Sequence, residues 1–273
     1  MKSFMNKVVQ PVIVAATASS FGFLVIYILK MADVSVSRLT GALISFVVVA
    51  AFAFLVFPNK LEHPFTLLKT PRKLGLYFPE HAPRHILLGL VLAACTLGGI
   101  LAASMLPGDF TPAPKNITLG QAVFAVNPAL WEELFFRGVL MFVLLKATGS
   151  VKKAAFFQIL LFGLAHIKGF AFWDMVDAFS VAVISIAFTY TAYKTRTLLA
   201  GIVFHYFRDA LIFFVQPGDE AVLTTGENIL FYALLWTMVG VACLLVKVGA
   251  ERFGIQAAEP LYVEDMAVEQ VAA

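Results

Sequence analysis

Apolar residues along this chain come in long runs separated by short polar clusters, a pattern that predicts membrane-crossing helices rather than half-buried ones. Eight such segments cover residues 11–29, 39–57, 85–106, 119–145, 154–167, 172–193, 198–215 and 228–246. Most are about 17–25 residues long, enough to cross a hydrocarbon core of roughly 30 Å. The fifth is shorter, which a span tilted less or packed inside a bundle accommodates. The expected fold class is all-α, a polytopic membrane bundle of about eight transmembrane helices.

Composition agrees with that pattern. Of the 273 residues, 60% are hydrophobic and only 14% are charged, against about 25% charged in soluble domains. Mean hydropathy is +0.88. The net charge of +3 is small, so its distribution is the informative part. With eight spans, the termini and even-numbered loops share one side, and fourteen of the twenty Lys and Arg residues fall there. The positive-inside rule then places both termini in the cytoplasm. The loop 216–227, with Asp219, Glu220 and Glu227 and no Lys or Arg, suits the outer side. The first apolar run is followed by Lys30 and lacks a small-residue cleavage site, so it is expected to stay as a helix.

Several features carry no chemistry. Cys95 and Cys243 lie in apolar stretches and read as small buried hydrophobes, without a disulfide or zinc spacing. The basic loop 58–84, bordered by His85 and containing His63 and His81, reads as a solvated connector; its functional alternative is a lid or an anionic-lipid contact. The tail 249–273 is acidic, rich in Ala and Val, and expected to be mobile. No internal repeat is visible, and nothing points to nucleic-acid binding.

Ionisable residues within apolar segments are costly in a bilayer and mark candidate sites. Glu132-Glu133-Leu134-Phe135-Phe136-Arg137 is the densest such cluster. Glu133 and Arg137, four apart, share a helix face and can pair. Glu132 points about 100° away and stays free of that pair, available as a general base on water. Two further segments carry Phe162 with His166 and His205 with Asp209, each pair again four apart. Counted from the basic loops, these groups lie roughly 14–21 Å deep at 1.5 Å per residue, so they can meet at one level. Asn127-Pro128 either starts a helix or kinks a longer one, and the apolar run before it favours the kink.

Each motif alone has a structural reading: a salt bridge, a packed histidine, a hydrogen-bonded pair. Together, on three segments, they favour a site, since each buried polar group needs compensation. Two His and a carboxylate could instead hold zinc, although no His-Glu-x-x-His pattern occurs. A non-catalytic immunity or scaffold protein is a third reading. A transporter is disfavoured, because no two related halves with paired broken segments are seen.

The motifs Glu132-Glu133…Arg137, Phe162…His166 and His205…Asp209, in that order, resemble those of the CAAX protease and bacteriocin-processing family of intramembrane glutamate-type endopeptidases. Gly138 and the upstream Lys73-Leu74-Gly75-Leu76 look similar to the family as well. The resemblance implies an eight-helix membrane fold with an intramembrane polar cavity. It implies a peptidase domain over 1–248, with its motif core at about 73–215. Glu132 and His166 would activate the attacking water. His205 and Asp209 would stabilise the oxyanion. Glu133 and Arg137 would support the site. No metal or other cofactor is implied. Partners would be the lipid bilayer and a peptide or membrane-anchored protein substrate, in a bacterial cytoplasmic membrane. Asp209 stands where the family commonly has Asn, and an ionised Asp cannot donate to an oxyanion. Arg208 is unexplained by the motifs, with Asp209, Asp177 and lipid phosphate as its candidate partners.

Overall fold

The computed structural model describes residues 75, 79–105, 119–167, 169–212 and 224–255. The predicted spans 11–29 and 39–57, most of the basic loop, Asp219 and Glu220, and the tail beyond 255 lie outside the described residues. The elements in order are α1 (Ala82–Met105), α2 (Leu119–Glu132), a π-helical segment (Glu133–Leu140), α3 (Met141–Thr148), α4 (Val151–Leu164), α5 (Phe172–Thr195), α6 (Leu199–Ile212) and α7 (Thr225–Arg252). Among the described residues there is no strand, so the class is all-α.

Each of the last six predicted segments overlaps a helix, but not every one is long enough to cross a bilayer by itself. Among the described residues, three helices are both long and apolar enough: Ala82–Ala102, Phe172–Thr195 and Thr225–Arg252. Helices α4 and α6 have only 14 residues each, and the fourth segment changes helix type after Glu132. The expected count of eight spans is therefore not established by the described residues.

Local chemistry explains the boundaries. Gly149 ends α3 in the left-handed region at φ 61° and sends its N–H to Leu145 O. Ser150 then caps α4 by accepting from Lys153 N. Thr224 and Glu227 form a reciprocal capping box on α7. The α5–α6 connection is held from outside. Gly75, at φ 72°, accepts from Leu198 N at 2.9 Å and from Thr197 Oγ1 at 3.2 Å.

Helix α6 is the central element, packing on α1, α2 and α5. Helix α1 also packs on α7, and α5 bridges α4 and α7. One buried cluster joins α1, α5, α6 and α7 through Leu88, Leu92, Phe188, Phe204 and Val239. A second joins the π-helical segment, α3 and α4 through Phe136, Leu140, Met141 and Phe162. Helices α4 and α5 meet closely at Gly163, where an added Cβ would lie 2.7 Å from Ala182 Cβ and 2.9 Å from Ala178 O. Small residues permit such close approach of helices in a membrane. The site forms where the two clusters adjoin.

Candidate active site

The site begins with a change of helix type. Helix α2 continues through Pro128 instead of starting there. Proline lacks an N–H and disturbs the preceding turn. The next turns are π-helical, with Met141 N–H reaching back to Phe136 O. Such wide turns recur at functional sites, because they redirect side chains relative to the α-helix on either side. Here the change falls between Glu132 and Glu133.

Glu133 and Arg137 form the floor, both fully buried. Arg137 Nη1 donates to Glu133 Oε1 at 3.1 Å, and Nη2 donates to Ser185 Oγ at 2.8 Å. Ser185 also accepts from Gln158 Nε2 at 3.3 Å, while Thr189 Oγ1 donates to Gln158 Oε1 at 2.5 Å. The guanidinium carbon lies 4.2 Å from the Phe162 ring centroid and 5.0 Å from that of Phe188. A carboxylate, a hydroxyl and two ring faces thus replace water around a buried cation.

His205 stands on this floor. Its Nδ1 is 3.0 Å from Glu133 Oε1; a carboxylate only accepts, so Nδ1–H is the donor. The ring stacks on Phe188, centroids 4.6 Å apart at 24°. Nε2 faces Asp209 Oδ2 at 3.4 Å and Glu132 Oε2 at 3.8 Å. Gly201, one turn earlier on α6, leaves room for Glu133: a Cβ there would lie 3.1 Å from Oε2.

His166 approaches from the end of α4. Its Nδ1 is 2.7 Å from Phe162 O, so Nδ1–H donates to that carbonyl. The other nitrogen, Nε2, lies 3.8 Å from Glu132 Oε2. The structure thus brings Glu132, His166, His205, Asp209, Glu133 and Arg137 into one connected group. Glu132 Oε2 lies at the same distance from both imidazoles, too far for a direct hydrogen bond.

Exposure divides the group. The Glu132, His166 and Asp209 side chains are 17%, 30% and 22% exposed, whereas Glu133 is 0% and His205 4%. Arg208 belongs to the open side, donating from Nη1 to Asp209 Oδ1 at 2.7 Å. Of its candidate partners it takes Asp209; Asp177 instead accepts from Tyr232 Oη. Sequence reasoning missed Gln158, Ser185 and Thr189. Their only signal was polarity within the apolar runs 154–167 and 172–193. Among the described residues, no three His, Cys, Asp or Glu side chains are disposed to hold one metal ion.

Residues 114–211 match the family model described as type II CAAX prenyl endopeptidase, Rce1-like. Comparison with curated proteins and with solved structures gave no match. The matched stretch contains all three motifs and every site residue named above. That similarity and the three long apolar helices among the described residues suit an integral membrane protein. Over residues 114–211, about a third of its length, this chain is similar to the Rce1-like family of type II CAAX prenyl endopeptidases.

Proposed function

We propose that this chain is an intramembrane endopeptidase that cuts a peptide bond near the end of a membrane-associated protein or peptide, using water activated by Glu132 and His166. The observation that carries this reading is the position of Glu132 Oε2. It lies 3.8 Å from Nε2 of both His166 and His205, on the open side of a sealed polar floor.

The chemistry balances without a covalent enzyme intermediate. Glu132 takes a proton from water as the water oxygen bonds to the carbonyl carbon. His166, its Nδ1–H held by Phe162 O, offers the Nε2 lone pair to orient that water. The carbonyl π electrons move to oxygen. His205, with Nδ1–H committed to Glu133, meets the oxyanion as an imidazolium through Nε2–H. Collapse reforms the carbonyl and breaks the C–N bond, and Glu132 returns its proton to the departing nitrogen. The distribution of Lys and Arg supports both termini on the cytoplasmic side of the membrane.

The test compares the parent protein with Glu132→Gln, both purified into lipid vesicles. The probe is an internally quenched peptide with a farnesylated cysteine four residues from its carboxyl terminus. The carboxyl termini of host membrane proteins are mapped in parallel. Cleavage and new termini are expected from the parent alone. Equal turnover by Glu132→Gln, or no new terminus from the parent in either assay, overturns the reading.

A further inference from the structure

We propose that Arg208 is an oxyanion donor of this site, held in position by Asp209; the inference rests on the peptidase reading above. It starts from what a carboxylate can do. Asp209 directs Oδ2 to His205 Nε2 at 3.4 Å and accepts from Arg208 Nη1 through Oδ1 at 2.7 Å. An ionised carboxylate has acceptors only. Beside a carbonyl gaining negative charge it would repel, not stabilise. Asp209 therefore needs a partner that brings both positive charge and N–H groups.

Arg208 is that partner by position. His205, Arg208 and Asp209 stand at i, i+3 and i+4 on one turn of α6, so they share a face. Arg208 and Asp209 are 21% and 22% exposed, comparable with Glu132 and His166 at 17% and 30%. A guanidinium carries five N–H donors in a rigid plane, and the bond to Asp209 uses Nη1. Asp209 thus links the cation, through its two carboxylate oxygens, to the imidazole nitrogen Nε2 of His205. An exposed ion pair with no further role would contribute little to stability or rate; this one lies against the imidazole facing Glu132, with Asp209 Oδ2 3.4 Å from Nε2.

The consequence is a specific dependence between two positions. Removing the guanidinium leaves the bare carboxylate in the site. Changing that carboxylate to an amide then supplies an N–H directly, so the second substitution should repair the first. The experiment measures kcat and KM on the farnesylated peptide for Arg208→Met, Arg208→Lys, Asp209→Asn and the Arg208→Met/Asp209→Asn pair, with thermal unfolding of each in detergent. Arg208→Met is expected to lower kcat about 100-fold, as loss of one oxyanion donor does, with KM within about threefold. Arg208→Lys should retain part of the rate, and the double variant should exceed Arg208→Met by about tenfold or more. A parent rate from Arg208→Met, or a double variant no faster than it, overturns the proposal. If Arg208→Met does not fold, the decision passes to Arg208→Lys, whose full activity at unchanged KM with or without Asp209→Asn counts against a donor role. Glu132→Gln is assayed alongside. Its inactivity beside a fully active Arg208→Met defeats the Arg208 assignment alone, whereas its activity defeats the peptidase reading as well.

Discussion

His205 Nδ1 and Glu133 Oε1 are 3.0 Å apart, a hydrogen bond between residues 72 positions apart in the chain. The same carboxylate oxygen accepts from Arg137 Nη1 at 3.1 Å. One buried atom therefore ties the imidazole to the guanidinium, and through Arg137 to Ser185 and Gln158. The orientation of His205 depends on that tie, because its other approaches are a stacking ring and the longer distances to Asp209 and Glu132.

Arg137→Ala is expected to be strongly destabilising. It leaves the buried Glu133 charge without its cation and removes contacts to two aromatic faces. Breaking a buried pair by deleting one partner costs about 3–5 kcal/mol. The check is the yield of monodisperse protein and its unfolding midpoint in detergent, and a parent-like midpoint would refute the structural role of the pair.

His166→Ala and Glu132→Ala should act on rate, not on folding. Both side chains are partly exposed and neither contributes to the sealed floor. Loss of a general base or of the group orienting its water lowers kcat by about 10²–10⁴-fold. Purified variants with parent thermal stability and at least half the parent rate would remove these two residues from the mechanism.

Ser185→Ala tests the polar string behind the site. The hydroxyl accepts from both Arg137 Nη2 and Gln158 Nε2. Its removal leaves buried donors unsatisfied, at roughly 1–3 kcal/mol each. Ser185→Thr keeps an acceptor and should recover most of the loss. Unfolding midpoints for the two variants decide the point, and indistinguishable values would mean the string is energetically idle.

Gly163→Ala probes the α4–α5 contact that places His166. The added methyl would lie 2.7 Å from Ala182 Cβ and 2.9 Å from a backbone carbonyl, so the helices must separate. Overpacking of this kind costs about 1–3 kcal/mol. Because His166 follows three residues later, activity should fall together with stability. Full activity and an unchanged midpoint would show that the interface yields freely.

Under the proposed mechanism, chelation has no target. Exhaustive dialysis against EDTA is expected to leave turnover of the farnesylated peptide unchanged, with zinc well below one per chain by elemental analysis. Activity lost to chelator and restored by zinc alone would replace the glutamate mechanism with a metal-dependent one.

Much of the architecture was legible in the chain because membrane constraints are local. A run such as 172–193 must satisfy its backbone within itself in lipid, so apolar length alone predicts a helix, and α5 occupies Phe172–Thr195. Spacing along one helix is local too, and the four-residue offset of Glu133 and Arg137 was enough to foresee their contact. Offsets between helices are different. Gln158, Ser185 and Thr189 were three unremarkable polar residues until α4 and α5 packed at Gly163 with those faces turned toward Arg137. Arg208 had three candidate partners by sequence, and the rotamers on one turn of α6 selected Asp209. The sequence by itself determined which stretches are helical and which polar groups share a face, because both follow from backbone geometry and solvent. Only the tertiary structure decided which faces meet, because the rotation and depth of each helix are set by packing against all its neighbours at once.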